Sequence, residues 1–225
     1  MPRYFELQLD QLRTNIIRMG SLVDEQIELA IKALLESNSE LAAFVIGRDK
    51  KVDEFDNQID LQCEKIFALT QPVAIDLRLI MAAIKINNEL ERIGDIAVNI
   101  AERVEPLRGH AELLKNSKFA SLASASRAMV TKAIDSFVNN DPETARNVCV
   151  QDDIVDNLND ELFHDLLEQA KASPHLIEPA AHMMMLSRHL ERLADHATNI
   201  AEDVVFLVDA KIIKHHAERF REETP

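Results

Sequence analysis

Apolar residues recur along this chain at alternating steps of three and four, the spacing of an α-helix that buries one face. At about 100° per residue, positions with this spacing form a single stripe. The chain contains only Gly 4, Pro 7 and Trp 0, so it is poor in the residues that make strands and tight turns. The predicted fold class is therefore all-α. The clearest stripe consists of Ile86, Leu90, Ile93, Ala97, Ile100 and Val104.

Six long helices are predicted, and the few turn residues of the chain lie between them. Asp141 is expected to cap the fifth helix, with Pro142 at its first helical position. Helices of about 30 residues are rods about 45 Å long, and short links between them force antiparallel neighbours. In chain order the helices are expected at about residues 5–36, 40–69, 75–105, 118–139, 142–171 and 177–209.

The chain also contains an internal repeat. Residues 89–104 and 189–204 share 10 identities in 16 positions, and the identities include charged residues as well as apolar ones. A common core pattern alone does not explain matched acids, so a duplication is indicated. We expect two tandem antiparallel three-helix bundles, joined end to end, with domains at residues 1–112 and 113–225.

The amino-acid composition of the chain limits the classes of molecule that it can bind and the compartment in which it is expected. Lys+Arg 25 against Asp+Glu 39 gives a net charge of 25 − 39 = −14, which repels nucleic acid and anionic lipid. Cys63 and Cys149 stand apart in separate helices and indicate free thiols in a reducing compartment. No apolar run of about 18 residues and no signal-peptide pattern occurs. We expect a cytoplasmic protein that does not insert into the membrane.

Candidate chemistry lies in pairs of acids four residues apart, which are neighbours on a helix surface. Like charges so placed repel each other, and a cation would turn the repulsion into attraction. Each half has two such pairs on separate helices, on a ridge that points away from the core. If the helices are adjacent, four carboxylates per half can form a multinuclear oxygen-ligand site for iron, manganese, zinc, magnesium or calcium. The candidate ligands are Asp49, Asp53, Glu91, Asp95, Asp152, Asp156, Glu191 and Asp195.

A plainer interpretation is a solvated acidic face, balanced by basic residues such as Arg92 and Lys50. The occurrence of four pairs at corresponding places in both halves favours the metal site. His196 follows Asp195 directly and is the best candidate for a supporting histidine, although it lies on the border of the apolar stripe.

Three segments of the chain resemble the signature segments of the PhoU family of phosphate-uptake regulators. They are residues 71–78, 90–102 and 190–202, which include Leu-Glu-Arg-x-x-Asp twice. The departures are small: His189 replaces Glu89 and Ala194 replaces Gly94, and neither removes a predicted ligand.

The resemblance implies two three-helix bundles with metal clusters at the eight acids named above. It also implies a non-enzymatic negative regulator of the phosphate-starvation response. Its expected partners are the ATPase of the phosphate ABC transporter, a sensor histidine kinase and a second copy of itself. The protein would then be peripheral to the inner membrane through these partners.

Two other functions remain open at this point. A ferritin-like metal-storage or oxidase protein needs two Glu-x-x-His pairs that point into a four-helix core, and only Glu161 with His164 has this spacing. A plain helical scaffold without metal is the other alternative.

Overall fold

The computed structural model describes residues 2–115 and 117–213, and this part of the chain is helical with no strand, which confirms the all-α prediction. The predicted helices are present, with ends that shift by a few residues. The helices are α1 (Pro2–Leu35), α2 (Ser39–Arg48), α3 (Lys50–Leu69), α4 (Ala74–Ala101), α5 (Ala111–Leu114), α6 (Ser117–Asn139), α7 (Pro142–Ala172) and α8 (Ile177–Asp209), with a short 3-10 turn at Pro174–Leu176 before α8.

The predicted second helix is interrupted once, which the sequence did not indicate. α2 ends at Arg48 and α3 begins at Lys50, with Asp49 as a turn residue between them. The carbonyl of Asp49 accepts from the amides of both Val52 (2.7 Å) and Asp53 (3.1 Å), so the hydrogen-bonding step tightens at this place. In the second half the corresponding segment is the continuous helix α7. The interruption therefore falls on a candidate ligand of the first half only.

The two halves begin their second helix in the same way. Asp141 accepts hydrogen bonds from the amides of Glu143 and Thr144, which confirms it as an N-cap. Asn38, 103 positions earlier, caps α2 through the amide of Leu41. The residues just before the caps, Ser37 and Asn140, both have positive φ angles of 51° and 50°. The duplication thus extends to the loops.

The halves pack side by side, which corrects the expectation that they are joined end to end. α4 and α8 run antiparallel along each other, and α1 packs against α6. Lys85 forms an ion pair with Asp203 at 2.7 Å, and Glu89 contacts His196 at 2.7 Å. Burial alone would raise the pKa of Glu89, but hydrogen bonds with His196 and from Asn199 outweigh it and lower the pKa.

The width of the buried face of α4 explains this arrangement. From Ile96 through Ile86 to Asn87, its buried positions cover about half of the helix circumference. One edge of this face packs on α3 and α1, and the other edge packs on α8. A helix in a separate three-helix bundle buries a narrower face. The wider buried face of α4 therefore indicates that it also packs against a helix of the other half.

Cys63 and Cys149 are both free and buried, as predicted, and burial raises the pKa of each thiol to about 12. None of the described helices has the length and apolar character to cross a bilayer. The predicted domain boundary after residue 112 falls inside α5.

Candidate functional site

The eight predicted acids have the same placement in each half. In each pair the first acid is half-buried and the second is exposed. We call Asp49, Asp53, Glu91 and Asp95, on the α2–α3 segment and α4, the first carboxylate cluster. The second carboxylate cluster consists of Asp152, Asp156, Glu191 and Asp195, on α7 and α8.

The acids of the first carboxylate cluster influence one another across the helices. Burial raises the pKa of Asp49, and the charges of Asp53 and Asp95 raise it further. Burial also raises the pKa of Glu91, helped by the charges of Asp95, Asp56 and Asp53. Asp53 and Asp56 are on α3, whereas Glu91 and Asp95 are on α4. The structure therefore brings the two predicted pairs of this half together.

The second carboxylate cluster shows the same coupling more strongly. Burial raises the pKa of Asp152 to about 6, and the charges of Asp156, Asp195 and Glu191 contribute. The pKa of Asp156 is raised by burial and then by Asp195 and Asp160. Acids from α7 and α8 thus repel each other in the absence of a cation.

Close contact between α3 and α4 positions the first cluster. A Cβ atom added at Gly94 would lie 3.1 Å from Cγ1 of Val52 and 3.5 Å from Oδ1 of Asp49. The missing side chain therefore lets the start of α3 approach α4 at the acids. The second half has Ala194 at this position, so the two clusters differ slightly in the space between their helices.

Two buried amide side chains bind acids in and beside the first carboxylate cluster. Gln26 Nε2 donates to Asp49 Oδ1 at 3.0 Å, and Asn87 Nδ2 donates to Asp56 Oδ1 at 2.7 Å and Asp60 Oδ1 at 3.2 Å. Both amide side chains are fully buried. Sequence reasoning missed them, and the available signal was a polar residue inside an apolar stripe.

The second carboxylate cluster lacks these amides. Met129 occupies the position 103 residues after Gln26, and Ser187 the position 100 residues after Asn87. Arg188 instead donates to Glu191 Oε1 at 2.6 Å and partly offsets the raised pKa of Glu191, for which burial is the main cause. The two clusters therefore have acids at corresponding positions but differ in the groups around those acids.

Two carboxylate oxygens of the second cluster have no hydrogen-bond partner. Asp152 Oδ1 and Glu191 Oε2 are both buried, one on α7 and one on α8. A buried oxygen without a donor is costly, and a hard cation bound by oxygen ligands would satisfy both. The donor chemistry of the cluster therefore fits a metal ion. Among the described residues, no three His, Cys, Asp or Glu side chains are already arranged to hold one ion.

His196 lies away from the second carboxylate cluster. Its Nδ1 contacts Glu89 across the α4–α8 interface, so the structure places it in the packing of the two halves and not beside the acids. Glu161 and His164, the one pair with ferritin-like spacing, are exposed on α7. The Glu161 carboxylate lies 3.3 Å from Lys118 and outside both clusters. The ferritin-like alternative finds no support in this placement.

The sequence matches one family model twice. The PhoU domain is found at residues 16–104 and again at residues 119–204. The curated relatives include the phosphate-specific transport system accessory protein PhoU homolog of Aquifex aeolicus, which is 38% identical over 92% of this chain and 94% of that protein. The homolog of Clostridium acetobutylicum is 30% identical over 93% of this chain and 96% of that protein.

Solved structures show the same likeness. The crystal structure of PhoU from Pseudomonas aeruginosa superposes with a TM-score of 0.86 at 33% identity, over 92% of this chain and 100% of that one. The phosphate transport system regulatory protein PhoU from Streptococcus pneumoniae also gives a TM-score of 0.86, at 26% identity, over 93% of this chain and 99% of that one. The similarity thus covers both halves and their packing.

Proposed function

Because this chain belongs to the PhoU family, we propose that it is an accessory protein of a phosphate-specific transport system that acts as a negative regulator of phosphate uptake and of the phosphate-starvation response. Relatives that match along almost the whole chain bear the name of such an accessory protein. The proposed role is that of a non-enzymatic adaptor in the cytoplasm. It would link the ATPase of the phosphate transporter to a sensor histidine kinase.

The observation that carries this proposal is the double PhoU domain, combined with two equivalent carboxylate clusters on one helical framework. An adaptor between two proteins needs surfaces held at a fixed distance, and the extended α4–α8 contact fixes the two halves relative to each other. The ion pair of Lys85 with Asp203 and the contact of Glu89 with His196 reinforce this packing.

We propose further that each carboxylate cluster binds divalent or trivalent metal, such as iron, zinc, manganese or magnesium. The raised pKa of Asp152 and the unpartnered oxygens of Asp152 and Glu191 support this proposal. A cation there would remove the repulsion between α7 and α8. In this role the metal stiffens the surface that partners meet and is not a catalytic centre.

Capture of partners from phosphate-replete cells tests the adaptor function. The tagged full-length protein should retain both the transporter ATPase and the sensor kinase, and deletion of the gene should switch on the phosphate-starvation response in phosphate-rich medium. A protein that captures neither, in cells whose response is unchanged by the deletion, would contradict the proposal. We also propose that the protein forms a homodimer, as the family resemblance implies, and sedimentation of the purified protein at several concentrations tests this.

The ferritin-like function has a direct test as well. Rapid oxidation of added ferrous iron, lost in Glu161→Gln with His164→Ala, would favour an oxidase. Because Glu161 is exposed and paired with Lys118, we expect no such activity.

A further inference from the structure

An arginine and two histidines lie together where the end of α4 meets the beginning of α8. Arg103 follows the last turn of α4, and its Nη1 lies 3.4 Å from Nδ1 of His182 on α8. The Nε of Arg103 is buried and has no hydrogen-bond acceptor. Within the residues that the structure describes, no carboxylate is paired with this guanidinium.

His189 adds a second unsatisfied polar atom to the same place. It lies two turns after His182 on α8, and its Nδ1 is buried without a partner. Burial lowers the pKa of His189, and the nearby charges of Arg103 and Arg192 lower it further, while the exposed Glu102 acts in the opposite direction. We call Arg103, His182 and His189 the Arg103 cluster.

The opposite end of the same interface shows what the Arg103 cluster lacks. The internal repeat relates Arg103 to Asp203 and Lys85 to Met185, at an offset of 100. At the far end, Lys85 and Asp203 form an ion pair at 2.7 Å, so the charge of the lysine is compensated there. At the end that contains the Arg103 cluster, Arg103 stands in place of the aspartate and Met185 in place of the lysine. Within the described part of the chain, the Arg103 end of this duplicated interface therefore lacks the ion pair that the other end has.

A partly buried guanidinium that has no ion-pair partner is stabilised when an anion binds to it. A guanidinium presents its N–H groups as a planar fork that matches two oxygens of a phosphate, and imidazole N–H groups add further donors. The carboxylate clusters are poor alternatives for an anion, because they are themselves negative.

We propose that the Arg103 cluster binds a small tetrahedral oxyanion, namely free inorganic phosphate, at the junction of the two halves. This inference rests on the proposed function only in the choice of phosphate as the physiological anion. Because α4 and α8 both contribute, the bound anion would tie the two halves together at the end that lacks an ion pair.

Titration of the purified, metal-free full-length protein with inorganic phosphate, followed by calorimetry and by thermal unfolding, tests the proposal. We expect saturable binding of one phosphate per chain and a rise in Tm with phosphate. Arg103→Gln should weaken binding at least about tenfold, since it removes a charge-assisted pair of hydrogen bonds. His182→Ala should weaken it less, and circular dichroism checks that both variants remain folded.

Arg108→Gln is the matched control. It removes the same charge five residues away, from an arginine that is exposed and paired with Glu105 at 3.5 Å, and it should change the affinity less than about twofold. Absence of phosphate binding by the wild type, or equal binding by wild type and Arg103→Gln, would overturn the proposal. Tighter binding of AMP than of free phosphate would assign the site to phosphate monoesters and overturn the choice of ligand. None of these results depends on partner capture, so the site and the adaptor function can fail separately.

Discussion

His196 Nδ1 lies 2.7 Å from Glu89 Oε2, and this contact joins the second half of the chain to the first. Both side chains are largely buried between α4 and α8, and Asn199 donates to the same carboxylate oxygen at 3.0 Å. The histidine that follows a candidate metal ligand in sequence thus stabilises the packing of the halves.

His196→Ala should lower the free energy of unfolding by about 1–2 kcal/mol, because it leaves the Glu89 carboxylate with one donor fewer. Urea unfolding at neutral pH measures the change. Arg92→Ala is the control, since Arg92 is exposed and 3.9 Å from Glu89, and it should change stability by less than about 0.5 kcal/mol. Equal effects of the two substitutions would show that the His196 contact contributes nothing special.

Asp152→Asn should stabilise the metal-free protein at pH 8 by about 1 kcal/mol. The pKa of Asp152 is raised from 3.8 to about 6, so the folded chain holds this proton more tightly than the unfolded chain does. The free energy of unfolding therefore decreases as the pH rises through this range and the carboxyl group becomes charged. An uncharged amide at this position avoids the decrease.

The increase in stability caused by Asp152→Asn should be largest above pH 6 and should become smaller as the pH falls toward 4. Thermal unfolding in the presence of a chelator at several pH values measures it. Asp53→Asn, at an exposed acid of the first cluster, is the matched control. A loss of stability on Asp152→Asn at pH 8 would contradict the electrostatic account.

Asp152→Asn combined with Glu191→Gln should abolish metal binding in the second half and leave the first half intact. Each of these two carboxylates has one buried oxygen without a hydrogen-bond donor, and the substitutions remove both negative charges. Elemental analysis after anaerobic purification should then find about half of the wild-type metal content. Glu161→Gln, at an exposed acid paired with Lys118, should leave the content unchanged. Unaltered content in the double variant would place the metal elsewhere.

Asp141→Ala should destabilise the protein by about 1 kcal/mol, because the first turn of α7 loses the acceptor of two amide groups. Chemical unfolding measures this effect, and Asp135→Ala on the exposed face of α6 is the control. The equivalent Asn38→Ala at the start of α2 should have an effect of similar size. If Asp141→Ala behaved like the control, the cap would not contribute to stability.

The sequence alone predicted the helices, their N-cap at Asp141 and the duplication. These features are local, since they depend on the spacing of apolar residues and on groups within four residues of each other. The eight carboxylates were found for the same reason, because a step of four residues places two acids together on any helix. The signature segments then indicated the family.

Tertiary structure decided how the halves meet and which groups surround the acids. The contact of Glu89 with His196 joins residues 107 positions apart, and Gln26 reaches Asp49 from a third helix. The buried, unpartnered Nε of Arg103 also depends on neighbours that are distant in sequence, such as His182. The spacing of apolar residues predicts which face of a helix is buried, but not which helix packs against that face. The packing of whole faces decides this, and it placed the two halves side by side.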